Sequence, residues 1–154
     1  MPFKFELMDE AYAQAIANWH YEGVYAFYDM DQDAEDLEEL LNPHSWADTY
    51  YAVVDEGNEL IGFFCFDQEE IGVVTIGLGL RPDYTGKGLG QAFVEAGLDF
   101  AKERFAPTTF RLNVATFNKR AIRVYERLGF QPAGVFLHET NGGRHEFLRM
   151  VRPG

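Results

Sequence analysis

Gly86, Gly88 and Gly90 alternate in the stretch Arg81-Pro-Asp-Tyr-Thr-Gly-Lys-Gly-Leu-Gly-Gln91, between an apolar run and a helical pattern. Glycines let a main chain approach a ligand with no side chain in between. A turn that leads into a helix also leaves several N–H groups unpaired around one point. Such a cradle suits an anion, and a pyrophosphate above all. A magnesium–triphosphate loop is excluded, because no Lys-Ser or Lys-Thr closes the stretch. The dinucleotide spacing G-x-G-x-x-G is not met either, since the pattern here is G-x-G-x-G. Taken alone, the glycines also fit a plain strand-to-helix turn.

A second segment changes that reading. Asn118-Lys-Arg-Ala121-Ile-Arg-Val-Tyr125-Glu-Arg-Leu-Gly129-Phe130 follows an apolar strand pattern over residues 110–114. Here the chain resembles the GNAT superfamily of N-acetyltransferases. Residues 86–90 match that family's pyrophosphate loop, and Asn118, Ala121, Tyr125, Gly129 and Phe130 match its second motif, in the family's order and spacing. The matched region covers residues 73–130. In the family the loop begins with Gln or Arg, where this chain has Thr85; a cradle of N–H groups does not depend on that side chain.

The resemblance implies a mixed α/β fold and transfer of an acetyl group from acetyl-CoA to a primary amine by direct attack, with no metal. It places the cofactor against Leu78, Gly79 and Leu80 on a splayed strand edge, and against Thr85, Gly86, Lys87, Gly88, Leu89, Gly90, Gln91, Asn118 and Tyr125. Tyr125 is implied as the acid that protonates the departing thiolate. Asn118 is also a good helix N-cap. Glycine at 77 and 79 fits close ligand approach or a simple bulge. Many family members carry a Glu on the central strand, but Val74, Thr75 and Ile76 offer no carboxylate. Glu22, in the segment that forms part of the family's acceptor site, ranks first as general base. Glu69, Glu70, Asp67, His138 or a water chain stand behind it, and Asn113 is either a substrate-orienting or a structural amide. The competing class is a catalytically idle acyl-CoA-binding sensor that kept the fold.

Charge divides the chain. Residues 1–80 hold eighteen acids against one base, Lys4, whereas residues 81–127 hold nine bases against five acids. The basic segment coincides with the cofactor motifs. The acidic one either steers a cationic amine toward the opposite side or simply keeps the protein soluble. No dominant basic face points to nucleic acid. Trp19, Tyr21, Tyr25, Phe27 and Tyr28 form a dense aromatic group, read as a cation-binding pocket or a small core. The acids at 29, 31, 33, 35, 36, 38 and 39 lack calcium-loop spacing and read as a solvated helix face. The four histidines show no metal-ligand spacing.

The elements that must position these groups follow from periodicity. A short strand at 3–8 precedes a helix at 11–18 capped by Asp9, then the aromatic connection and an acidic helix at 33–41. Strands at 50–55 and 59–66 form a hairpin, and a third at 72–80 feeds the glycine loop and a helix at 88–104. A strand at 108–114, a helix at 119–128 and two strands around 141–143 complete a single domain over 1–154. Monomer and homodimer both fit. No apolar run approaches the ~18 residues of a membrane span, the start lacks signal-peptide character, and the lone Cys65, read as buried strand, suits a reducing cytoplasm.

Overall fold

The computed structural model describes residues 3–47 and 49–154. Seven strands form one sheet in the order β1-β2-β3-β4-β5-β7-β6. They are β1 (Lys4–Leu7), β2 (Tyr50–Val54), β3 (Leu60–Glu70), β4 (Val73–Leu80), β5 (Thr109–Ala115), β6 (Gln131–Thr140) and β7 (Gly143–Pro153). Four α-helices accompany them: α1 (Glu10–Ala17), α2 (Ala34–Leu41), α3 (Gly90–Phe105) and α4 (Lys119–Arg127). Asp9 caps α1 by accepting from the Tyr12 amide, and Asp33 caps α2 by accepting from the amides of Glu35 and Asp36. The aromatic connection is built of 3₁₀ turns at Gly23–Tyr28 and Met30–Gln32.

Alternation divides each strand between two cores. Phe64, Phe66, Val74, Ile76, Phe110 and Leu112 face α3 and α4. On the other face Tyr50, Ala52 and Phe63 pack with α1 and α2 through Ile16 and Leu40. Helix α3 buries two adjacent rows, Phe93, Val94, Gly97, Leu98 and Ala101. Gly97 allows this close approach: a Cβ there would lie 2.2 Å from the Phe64 ring.

Two features of β4 create the site. First, its side toward α1 and α2 presents Thr75, Gly77 and Gly79, opposite Asp67, Cys65 and Phe63 of β3. Two glycines leave that face bare, and the Phe63 ring covers Gly79, where a Cβ would lie 2.3 Å from it. The β3–β4 ladder is regular from Gly62 to Asp67, so the glycines are not a bulge. Second, β4 pairs with β5 in parallel only over Val73–Thr75 and Thr109–Arg111. Beyond these three pairs β4 remains with β3 and β5 with β7, and the sheet divides.

Candidate active site

The division exposes main-chain groups of known parity. The Arg81 amide donates to the Ile61 carbonyl at 2.8 Å, so Arg81 points its peptide groups at β3. Antiparallel pairing alternates, which turns Gly79 toward β3 as well and turns Leu78 and Leu80 toward the gap. Leu80 confirms this parity, because its carbonyl accepts a 2.8 Å hydrogen bond from the Tyr21 hydroxyl across the gap. Gly79 therefore contributes through its missing side chain, and Leu78 and Leu80 contribute N–H and C=O.

The loop between Thr85 and α3 lies at the end of this edge. Gly86 and Gly88 have φ of +73° and +76°, a conformation that glycine adopts without strain. Among the described residues the amides of Gly86, Lys87, Gly88 and Leu89 have no hydrogen-bond partner. The first turn of α3 adds its own unpaired amides. The Thr85 hydroxyl is engaged locally, donating to the Pro82 carbonyl at 2.7 Å. A cavity of about 340 Å³ is lined by Leu78, Leu80, Thr85, Gly86, Gly88 and Gly90 and by Arg120, Arg123 and Arg127 of α4. Lys87, Leu89 and Gln91 are not in this lining, although sequence grouped them with the loop. Sequence places these arginines only within the basic run; the spacing of 120, 123 and 127 on one helix face is the signal for their place beside the loop. Arg120 is held over the Tyr25 ring at 4.4 Å.

Through the division this cavity shares a wall with a second one of about 530 Å³ on the α1 and α2 side. Tyr125 and Asn118 line both. Tyr125 is more than nine-tenths buried, which pushes its phenol pKa up, with the nearby Tyr28 hydroxyl adding to the effect. Its side chain is buried, but its hydroxyl is not among the enclosed, unpartnered polar atoms of the described residues. Asn118 caps α4 by accepting from the Ala121 amide and donates to the Tyr28 hydroxyl at 3.1 Å.

The aromatic group both lines the second cavity and packs as a small core. Trp19, Tyr21, Tyr25, Phe27 and Tyr28 all line the cavity. They also pack as a core, Trp19 against Phe63 and Phe27 against Phe117, His145 and Phe147. Hairpin β6–β7 closes the far side: the Asp33 carboxylate accepts from the Thr140 hydroxyl and the Asn141 amide, and Asn141 donates to the Phe27 carbonyl. These bonds hold the Asp33 carboxyl down at about 2.

Carboxylates in the lining are Asp29, Asp36 and Glu39. Asp29 is buried and committed, accepting from the Tyr21 amide at 2.8 Å and pairing with His20 at 3.0 Å. The acidic segment is thus not simply a solvated face, since Asp36 and Glu39 of α2 turn to the cavity. Glu22 stands exposed at the head of a 3₁₀ turn, outside both linings, as do Asp67, Glu69 and Glu70; His138 and Asn113 line the larger cavity. Cys65 also lines it, its thiol pushed up to about 12 by burial and then by the Glu39 charge. His20, Asp29 and Asp31 lie within 4.8 Å of one another, a grouping that sequence spacing did not show.

A family model described as the acetyltransferase (GNAT) family matches residues 6–130. The chain belongs to the GNAT family. Among relatives of this GNAT protein, a mycothiol acetyltransferase of Streptomyces coelicolor is 39% identical over 94 residues, which are 59% of the chain and 28% of the relative. The chain thus matches a little over a quarter of that longer protein. A spermidine N(1)-acetyltransferase of Vibrio cholerae is 28% identical over 137 residues, 82% of the chain and 76% of the relative. The solved structure of the V. cholerae spermidine N-acetyltransferase with CoA and spermine superposes with a TM-score of 0.78 at 22% identity, covering 98% of this chain and 95% of that one. Among the described residues no helix is long and apolar enough to cross a membrane.

Proposed function

We propose that this GNAT protein transfers the acetyl group of acetyl-CoA to a cationic primary amine by direct attack. The observation that carries the reading is Tyr125: a buried tyrosine, its phenol kept protonated, at the wall between a basic, amide-lined cavity and an acidic, aromatic one. The residues fit the cofactor. The free amides at 86–89, with Arg120, Arg123 and Arg127, hold the charge of a pyrophosphate. The peptide groups of Leu78 and Leu80 pair with the amides of a pantetheine arm, as a strand edge pairs with an added strand. Bound there, acetyl-CoA supplies an acetyl group activated as a thioester.

The acceptor nitrogen enters from the aromatic side as an ammonium with a pKa of about 10.4 and must lose a proton before it can attack. That proton passes to water and to the groups lining the acceptor cavity, among which Glu22 is not found. A C–N bond forms, the C–S bond breaks, the sulfur takes its proton from Tyr125, and the second proton shed by the acylated nitrogen restores the phenol through water. Burial keeps that phenol protonated at neutral pH, which is the state an acid requires. The test is release of CoA thiol with amines present. A Tyr125→Phe variant should bind acetyl-CoA normally and release thiol about 10²-fold more slowly. Equal turnover by the variant removes Tyr125 from the chemistry; absence of release with every amine contradicts the reading and favours the idle sensor.

A further inference from the structure

Attack on a thioester puts negative charge on the carbonyl oxygen, and a fixed donor must meet that charge. Tyr28 is held as such a donor. It ends the first 3₁₀ turn of the aromatic connection and lines the acceptor cavity together with Asn118 and Tyr125. Its ring is fixed by Phe27, edge-on with 5.4 Å between centroids, and by Phe117 at 5.9 Å. Its oxygen receives two hydrogen bonds. Asn118 gives the first at 3.1 Å; the oxygen of that side chain is committed to the Ala121 amide, so its NH₂ group must face Tyr28. The second comes from the Ala115 amide at the end of β5. That amide faces the gap and not β7, because the neighbouring Thr116 amide donates to the Glu146 carbonyl and successive residues of an antiparallel ladder point opposite ways.

With both bonds received, what the hydroxyl has left to offer is its proton. Each bond into the oxygen also polarises the O–H and makes it a better donor. Partial burial holds the phenol above the usual tyrosine range, the two donors offsetting part of the shift, so it stays protonated at neutral pH. Tyr28 is near enough to Tyr125 to raise that residue's pKa, and the two come from different elements, the aromatic connection and α4. A thioester needs two such groups, because a proton for sulfur and a hydrogen bond for the carbonyl oxygen act on two atoms of one carbon. On the reading of the function above, we infer that Tyr28 is a second catalytic tyrosine, whose hydroxyl donates to the carbonyl oxygen of the bound acetyl group. As the nitrogen attacks, the carbonyl π pair moves onto oxygen and is held by the Tyr28 O–H, which keeps its proton. The pair returns as the C–S bond breaks, and sulfur takes its proton from Tyr125. Asn118 and Ala115 are positioning groups, since they fix the Tyr28 oxygen and aim its proton.

The experiment starts from binding alone. Acetyl-CoA with an isotopic label at the acetyl carbonyl is bound to the protein, and the carbonyl stretch is read by infrared difference spectroscopy. Tyr28→Phe keeps the ring and removes the donor, so the band should move to higher frequency. A ring-fluorinated tyrosine at position 28 is a stronger donor and keeps an oxygen for Asn118 and Ala115; it should move the band below the wild-type position. Thiol release with butylamine as acceptor then reads the rate. Tyr28→Phe should lower kcat by about 10-fold to 100-fold with KM for acetyl-CoA unchanged, and the fluorinated residue should restore it. A band at one frequency in all three proteins, or Tyr28→Phe with wild-type kcat, overturns the inference and leaves acetyl transfer standing. A band that moves in the expected order, with no thiol released by any of the three, supports the donor and removes the transferase reading.

Discussion

Substitution at Gly88 separates the conformation of the loop from the space around it. A Cβ at this position would meet nothing within 4 Å, yet φ is +76°. An alanine therefore costs nothing by collision and about 1–2 kcal/mol through the left-handed backbone. The protein has two ways to absorb that cost. If the loop holds its shape, the loss appears as stability; if it relaxes, the amides of 86–89 lose their convergence and the loss appears as affinity. Wholly expressed in binding, 1–2 kcal/mol weakens CoA by about 5-fold to 30-fold. Calorimetry with CoA and urea unfolding, performed on Gly88→Ala, should together account for the sum. Gly88→Asn discriminates between causes, because asparagine is larger than alanine but tolerates the left-handed region better. A conformational origin makes Asn the milder change, and a steric origin makes it the more severe. Gly88→Ala with wild-type affinity and stability, or Asn worse than Ala in both, refutes the reasoning.

Other outcomes follow from the same structure. Gly97→Ala gains up to about 1 kcal/mol of helix propensity but drives a methyl into the fully buried Phe64 ring; the overpacking cost of about 1–3 kcal/mol should win, seen as a lower urea midpoint. Asp33 has its pKa lowered from 3.8 to about 2, so its contribution to stability is present above pH 3.8 and lost as pH falls toward 2. Asp33→Asn should accordingly flatten the acid side of a stability–pH curve between these values, and a variant as acid-sensitive as wild type contradicts the latch on Thr140. Arg120→Met should weaken CoA severalfold and reduce the salt dependence of its binding, since it removes one cation from the anion cavity.

The glycine loop was legible because positive φ at two positions demands glycine, and a demand on residue type survives in sequence. The division of charge was legible too: the basic run became α4 beside the loop, and part of the acidic run became the wall of the other cavity. Most strand and helix positions followed from periodicity, with β3 extending four residues past Phe66 through pairing with β4 that no local pattern encodes. The parting of β4 and β5 was expected only through the family resemblance, which places a splayed edge at 78–80; the strands part because each follows a different neighbour. Glu22 suits a base by residue type, but it stands exposed at the head of the 3₁₀ turn, whereas Asp29 is the buried carboxylate of this segment. The place of Asp36 and Glu39 in the cavity lining depends on hairpin β6–β7, which closes that side some hundred residues later in the chain.

The most direct test of acetyl transfer is mass spectrometry of an amine incubated with acetyl-CoA and the protein. The account predicts a cationic amine gaining one acetyl group at a primary nitrogen, in step with free CoA and dependent on Tyr125. Tight acetyl-CoA binding with no acetylated amine across polyamines, amino acids and short peptides would contradict it.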